Sequence, residues 1–329
     1  MAEEEPVLET QVTRGVKSGG YPTDAYDREG AKALREALSD GTIVSQGPMG
    51  TVLMGEPGGE GVPAAAWNVS EPQTVERMHV LYETVGAQLL ITNTFQASSP
   101  ALARDGVRRP MTEVNDAAVR CALAASPRLL VGSMGPCGLE WFAEDAPEYR
   151  AARAAYRDQA HALLCAGVGG ILLETFTSIR DIQPALAGVG DVAAGMPVLA
   201  SFAVDEAGDL IVDHLNIEAA VSYAVKHGAD AVGVNCCSLS AADRVVSRMA
   251  RAVDAPLMVR PNAGDPRRSE DGDLVWEENP AAFARAALSW RDAGVRVVGA
   301  CCGATAKTIW AMADALGVLD EAPARTIGL

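Results

Sequence analysis

Eight short apolar runs recur along this chain, and their rhythm constrains the fold more than any other feature of the sequence. The runs cover residues 42–46, 88–92, 129–133, 170–174, 198–203, 231–235, 256–260 and 295–300. Each carries Val, Ile or Leu with little alternation of polar residues, as is typical of strands that are buried on both faces. The runs therefore predict parallel strands with little exposed surface.

Helical patterns lie between most of these runs. Apolar residues recur at helical spacing within residues 27–38, 72–85, 149–166, 217–227, 241–253 and 280–292. Strands that alternate with helices in this way predict an α/β fold, a single-domain (β/α)8 TIM barrel, with a doubly wound sheet as the alternative. We expect the barrel to span residues 26–329 and to follow an N-terminal arm, residues 1–25, that is poorly ordered or packed on the barrel.

The charge of the chain excludes one class of partner. Its formal net charge is -16, and such a chain repels the phosphates of nucleic acid. No apolar stretch reaches the roughly 18 residues that a bilayer span requires. Residues 1–9 are acidic and lack the apolar core of a secretion signal. We therefore expect a cytoplasmic protein that binds neither nucleic acid nor membrane.

Two pairs of adjacent cysteines end the sixth and eighth predicted strands, Cys236-Cys237 and Cys301-Cys302. One strand separates the sixth and eighth strands in a barrel, so the C-terminal ends of these two strands lie within reach of a single ion. Three thiolates with an open fourth position form a catalytic zinc site. We assign Cys236, Cys301 and Cys302 as ligands, with a turn at Gly303 and with Cys237 as the alternative to Cys236. The other interpretation is that these cysteines are small buried hydrophobic residues.

Further polar residues and glycines follow the strands at the same end, where barrel enzymes bind their substrates. Glu174 ends an otherwise apolar strand, and it either links neighbouring strands or contacts a cationic group of the substrate. The backbone N–H groups of the turn at residues 47–51 suit a carboxylate. The candidate substrate-binding residues are Gln46, Gly47, Met49, Gly50, Thr51, Asn93, Glu174 and Asn235.

The motifs Gly-Val-Asn-Cys at 233–236 and Gly-Ala-Cys-Cys-Gly at 299–303 resemble those of the homocysteine S-methyltransferase family. That family includes betaine–homocysteine methyltransferases and the homocysteine-binding module of cobalamin-dependent methionine synthases. Further matches at 49–51, 67–68, 92–96, 132–136, 174–175 and 261–264 extend the resemblance from about residue 41 to residue 316. It implies that Cys236, Cys301 and Cys302 bind Zn²⁺, and that the protein transfers a methyl group to homocysteine to give methionine.

Gln46 stands at a position where this chain departs from the family pattern. An acidic residue that is expected to help hold the ammonium group of the substrate usually precedes the glycine-rich turn, and Gln46 stands there in this chain. The implied partners are a small-molecule thiol and a methyl donor, or a separate corrinoid protein, because the chain has no Asp-x-His-x-x-Gly run. Two alternatives stay open. One is a methyltransferase for a different thiol, or one in a demethylation pathway with a corrinoid protein, and the other is a non-catalytic zinc or redox-sensing protein.

Overall fold

The computed structural model describes residues 21–141, 143–264, 266–268 and 274–319, so the predicted arm lies outside the described residues up to residue 20. Its strands are β1 (Ile43–Val44), β2 (Leu89–Ile91), β3 (Leu129–Met134), β4 (Gly170–Phe176), β5 (Val198–Phe202), β6 (Ala231–Asn235), β7 (Leu257–Arg260), β8 (Pro266–Arg268), β9 (Leu274–Trp276) and β10 (Val295–Val298). Strands β8 and β9 form a separate antiparallel pair.

The other eight strands are parallel and form one sheet in the order β1-β10-β7-β6-β5-β4-β3-β2. A parallel bridge between Ser45 and Leu89 joins its two edges, and the Gln46 amide donates to the Leu89 carbonyl over 3.0 Å. The sheet therefore closes on itself. The prediction of a (β/α)8 barrel is confirmed, and the doubly wound alternative is wrong.

Helices surround this sheet at the positions that the βα rhythm requires. They are α1 (Arg28–Ser39), α2 (Gly50–Met54), α3 (Trp67–Ser70), α4 (Pro72–Thr84), α5 (Ser99–Arg104), α6 (Met111–Leu123), α7 (Pro147–Ala166), α8 (Ile179–Ala193), α9 (Ile217–Lys226), α10 (Leu239–Ala252), α11 (Pro280–Asp292) and α12 (Ala306–Leu316), with a 3-10 turn at Ala64–Ala66. The six predicted helices correspond to α1, α4, α7, α9, α10 and α11.

Helix α8 illustrates why some helices were not predicted from the apolar pattern. It contains Pro184 and Gly188, two residues that normally argue against a helix interior. A Cβ added at Gly188 would overlap the carbonyl oxygen of Arg153 on α7, so the glycine permits the two helices to pack closely. Tertiary packing here outweighs the local preference of the residue.

One end of the barrel is closed by apolar side chains, and the other end is open. Leu34 and Leu38 of α1 belong to the same buried cluster as Leu89, Leu172 and Met258 of the strands. Helix α1 thus covers the N-terminal ends of the strands with apolar side chains, and the polar residues at the C-terminal ends form the open side. Within the described residues, no helix is both long and apolar enough to cross a membrane.

Candidate metal centre

Three cysteine side chains meet at the C-terminal ends of β6 and β10. The Sγ atom of Cys236 lies 2.8 Å from Sγ of Cys301 and 3.8 Å from Sγ of Cys302. All three sulfur atoms lie within 4.8 Å of one another. Strand β7 is the single strand between β6 and β10, so the barrel closure brings together residues about 65 positions apart.

The backbone at the end of β6 directs the two adjacent cysteines to different places. Cys236 has a φ of +53°, in the left-handed region that residues other than glycine rarely occupy. Cys237 is buried and does not belong to the sulfur cluster. Its carbonyl accepts from the amide of Asn262 on the following strand end over 2.8 Å. Cys236, and not Cys237, therefore lies in the sulfur cluster.

A tight turn presents Cys301 and Cys302 together, although they are consecutive. Strand β10 ends at Val298, and Gly303 has a φ of +79°. The Gly303 amide donates to Oγ1 of Thr51 over 3.2 Å. A Cβ on Gly303 would overlap the indole ring of Trp276, so the close approach requires a residue without a side chain.

Asn235 at the end of β6 and Thr175 of β4 support the cluster. Oδ1 of Asn235 accepts from Ser201 Oγ over 2.7 Å and from the Thr175 amide over 2.9 Å. Nδ2 of Asn235 donates to Thr175 Oγ1 over 2.7 Å and lies 3.8 Å from Cys301 Sγ. Thr175 Oγ1 lies 3.8 Å from Cys236 Sγ. Two fixed side chains therefore contact two of the three sulfur atoms.

A buried ion pair lies beside the cysteines. Nη1 of Arg260 donates to Oε2 of Glu174 over 2.6 Å, and the two side chains are only 4% and 9% exposed. Ser133 donates its hydroxyl to the other carboxylate oxygen of Glu174. The pair spans from β7 to β4. Sequence reasoning missed Arg260, although an arginine at the end of the apolar run Leu257–Arg260 is itself a signal of a polar partner.

The groups around the three sulfur atoms favour the thiolate form of one cysteine. Hydrogen bonds from Cys236 and Cys302 hold the pKa of Cys301 well below its ordinary value, and the positive charge of Arg260 lowers it further. Hydrogen bonds with Cys301 and Cys302, together with burial, raise the pKa of Cys236 well above its ordinary value. Negative charge is therefore concentrated on Cys301 when the three cysteines share protons.

The other predicted substrate residues lie in three places. Thr51 contacts the turn at Gly303 and Asn235 contacts Cys301, while Glu174 belongs to the buried ion pair beside them. Asn93 instead braces the segment before α3, because its Nδ2 donates to the Ala64 carbonyl over 2.7 Å and to Asn68 Oδ1 over 3.0 Å.

The residues that lead from β1 into α2 pack against α4. Oε1 of Gln46 accepts from the Ile91 amide over 2.9 Å and lies 3.2 Å from Nδ1 of His79. Gly47 lies against the ring of Tyr82. Met49 is buried, and Gly50 begins α2. The side-chain oxygen of Gln46 is thus already engaged within the protein.

A cleft of about 650 Å³ opens next to the end of β4. Its lining includes Trp141, Arg180, Ser178 and Val212. The guanidinium of Arg180 lies over the Trp141 ring at 5.3 Å, and Nε1 of Trp141 is buried without a partner in the part of the chain that the structure describes. The lining includes residues of α7 and α8 and none of the three clustered cysteines, so the cleft is separate from the sulfur cluster.

Comparison with known proteins places this geometry in context. A family model described as Homocysteine S-methyltransferase matches residues 43–316. The methionine synthase of Mycobacterium leprae (strain TN) is 29% identical over 312 residues, which is 88% of this chain and 25% of that protein. The methionine synthase of Mycobacterium tuberculosis (strain ATCC 25618 / H37Rv) is 28% identical over 309 residues, with 86% and 25% covered. The chain therefore spans about a quarter of the length of these curated relatives.

Solved structures agree on the fold. The metallated form of the homocysteine methyltransferase MmuM from Escherichia coli superposes with a TM-score of 0.70 at 22% identity, covering 85% of this chain and 98% of that one. Its oxidised form gives a TM-score of 0.69 at the same identity, covering 87% and 99%. At this level of identity the likeness establishes the barrel and its topology.

Proposed function

Since the chain belongs to the homocysteine S-methyltransferase family, we propose that it is a zinc-dependent enzyme that moves a methyl group from a donor to the sulfur of a thiol. The observation that carries the proposal is the convergence of Cys236, Cys301 and Cys302 at the open end of the barrel. Homocysteine, which would give methionine, is the acceptor that the family implies and the first to assay.

The donor set fits zinc. Tetrahedral zinc with Zn–S bonds of about 2.3 Å separates its sulfur ligands by about 3.8 Å. The 3.8 Å between Cys236 Sγ and Cys302 Sγ equals that value. The 2.8 Å between Cys236 Sγ and Cys301 Sγ is shorter than it, and rotation of the two side chains would lengthen it. Three protein ligands leave a fourth position for a substrate. Bound zinc supplies thiol activation, because a coordinating thiol loses its proton at neutral pH.

The residues around the cluster hold the reacting groups. Asn235 and Thr175 fix Cys301 and Cys236, and the N–H groups of residues 47–51 suit the carboxylate of an acceptor. The acceptor sulfur attacks the methyl carbon in line and forms the new S–C bond, while the bond to the donor breaks with its electron pair. The proton of the thiol passes to solvent. Positioning of this kind is a large part of the rate enhancement that a protein can supply.

The donor is a diffusible small molecule or the methyl group of a separate corrinoid protein. The names of the two mycobacterial relatives support the second possibility.

One experiment tests the proposed function as a whole. Purified protein is loaded with zinc and assayed with a sulfonium, betaine, a methylfolate and methylcobalamin, each crossed with several thiols. We expect methyl transfer in at least one combination, its loss on chelation and its return with zinc. A protein that binds zinc but transfers methyl from no donor to any thiol would favour the zinc-storing or redox-sensing alternative.

A further inference from the structure

The end of β4 departs from regular strand geometry at Thr175. The register between β4 and β5 shifts between Leu173 and Phe176, and Thr175 has a φ of +64°. A β-branched residue rarely adopts this left-handed conformation, because its Cβ crowds the backbone. Such a conformation lowers stability and persists only where surrounding contacts hold it in place. The position of Thr175 is therefore set by the contacts that it makes and not by its own preference.

This irregularity turns two consecutive side chains toward other strands of the barrel. On a regular strand, successive side chains point to opposite faces of the sheet. Here Glu174 contacts Arg260 at the end of β7. The next residue, Thr175, contacts the end of β6, where its Oγ1 lies 3.8 Å from Cys236 Sγ. Bulges often redirect a side chain next to an active site. The strained backbone thus brings the Thr175 hydroxyl to the sulfur cluster.

The hydrogen bonds around Thr175 leave its proton for a sulfur atom. Nδ2 of Asn235 donates to Thr175 Oγ1 over 2.7 Å. A hydroxyl has one O–H donor, and among the described residues the acceptor within its reach is Sγ of Cys236. Nδ2 of Asn235 also lies 3.8 Å from Cys301 Sγ. Cys236 and Cys301 thus each face a polar hydrogen that a neighbouring side chain holds in place.

Cys302 differs from the other two cysteines in this respect. Its Sγ lies 3.8 Å from Cys236 Sγ, and no side-chain hydroxyl or amide donates to it within the parts of the chain that the structure describes. Cys236 and Cys302 are both partly buried, so their sulfur atoms have similar access to solvent. The two cysteines therefore form a matched pair that differs in hydrogen bonding.

Hydrogen bonds to sulfur matter in a site that methylates a thiol. The proposed centre would hold three cysteine thiolates and the thiolate of the acceptor on one ion, and each of these sulfur atoms is a nucleophile. A hydrogen bond donated to a thiolate stabilises its negative charge. The sulfur loses part of that stabilisation when its electron pair attacks carbon, so the barrier rises. Cysteines that accept such bonds therefore react more slowly than a sulfur that accepts none.

We propose that Thr175 determines which sulfur atom is methylated. Its hydroxyl keeps Cys236 unreactive, so that the methyl group goes to the acceptor thiol and not to the protein, and Asn235 acts in the same way on Cys301. The inference rests on the proposed function for the zinc site and the methyl transfer. It explains the strained backbone at Thr175, because methylation of Cys236 would replace a negatively charged metal ligand with a neutral thioether.

Alkylation by methyl iodide tests the role of Thr175 without the natural donor or acceptor. The cysteine sulfur attacks the methyl carbon, an S–C bond forms, and iodide leaves with the electron pair of the broken bond. Zinc-loaded wild type and Thr175→Val are treated with limiting reagent, and methylated cysteines are located and quantified by mass spectrometry. We expect the ratio of methylated Cys236 to methylated Cys302 to rise by roughly fivefold or more in Thr175→Val, as for the loss of one hydrogen bond.

Three further variants separate the hydroxyl from the backbone that carries it. Thr175→Ser keeps the hydroxyl and should give the wild-type ratio. Thr175→Ala removes the hydroxyl without adding a methyl group and should behave like Thr175→Val, so the test does not depend on one variant that folds poorly. Thr74→Val removes the hydroxyl of another buried threonine, on α4, and should leave the ratio unchanged. Zinc content and circular dichroism of each variant show that it is folded and loaded.

The outcomes distinguish this inference from the proposed function. The same Cys236-to-Cys302 ratio in wild type, Thr175→Val and Thr175→Ala overturns the role of Thr175, and so does a Thr175→Ser protein that behaves like Thr175→Val. The alkylation needs no enzymatic turnover, so it still decides the role of the hydroxyl if no thiol is methylated by any natural donor. In that case the proposed function fails, while the protection of Cys236 stands or falls on the measured ratio.

Discussion

Asn235 and Thr175 are joined by two hydrogen bonds, from Asn235 Nδ2 to Thr175 Oγ1 over 2.7 Å and from the Thr175 amide to Asn235 Oδ1 over 2.9 Å. Each residue also lies 3.8 Å from one sulfur atom, Asn235 from Cys301 and Thr175 from Cys236. The pair joins β4 to β6 and orients two cysteines at once, so its loss should weaken zinc binding.

We expect Asn235→Ala to weaken zinc binding by roughly tenfold to a hundredfold, because residues that orient metal ligands typically contribute that much affinity. Competition with a chromophoric chelator measures the effect. Asn115→Ala is the matched control, since Asn115 is an equally buried amide that bonds the Ala97 carbonyl over 2.9 Å. It should lower stability and leave zinc affinity unchanged. Equal zinc affinity in wild type and Asn235→Ala would contradict the supporting role.

The turn at Gly303 provides a second prediction. Gly303→Ala adds a left-handed alanine, which costs about 1–3 kcal/mol, and a Cβ that overlaps Trp276. Gly317→Ala carries the same backbone strain, at a φ of +70°, with no atom within 4 Å of the added Cβ. We expect both variants to be destabilised in urea unfolding and only Gly303→Ala to lose zinc affinity. If the two variants bind zinc alike, the turn does not position the cysteines.

A third prediction concerns pH. Burial lowers the pKa of His79 from 6.5 to about 4 because it disfavours the charged ring. Between these values the unfolded chain binds a proton at this position that the folded chain does not, so the folded state loses stability as the pH falls. The contribution is fully present above about pH 6.5 and declines by roughly 3 kcal/mol in all as the pH falls to about 4.

Urea unfolding between pH 4 and pH 7 tests this dependence. The free energy of unfolding of His79→Leu should fall less steeply with decreasing pH than that of the wild type, by the equivalent of one proton. Identical slopes in His79→Leu and wild type would show that His79 does not titrate as a buried neutral group.

The fold could be predicted because its strands are buried on both faces and so appear as unbroken apolar runs. The grouping of Cys236, Cys301 and Cys302 followed from barrel order, which places β6 and β10 on either side of β7. The pairing of Arg260 with Glu174 did not follow, since it joins residues 86 positions apart across the barrel. The sequence shows that each of these two charged residues ends a strand. It does not show that their side chains face each other, because the direction of each side chain depends on the closed barrel.

Zinc content of single cysteine variants tests the central claim most directly. Elemental analysis of purified wild type and Cys237→Ala should give about one zinc per chain, as expected for a three-cysteine site. Cys236→Ala, Cys301→Ala and Cys302→Ala should each lose the metal and, with it, methyl transfer. Cys237 is the sharpest control because it adjoins Cys236 yet lies outside the sulfur cluster. Full zinc content in Cys301→Ala, or loss of zinc in Cys237→Ala alone, would contradict the proposed metal centre.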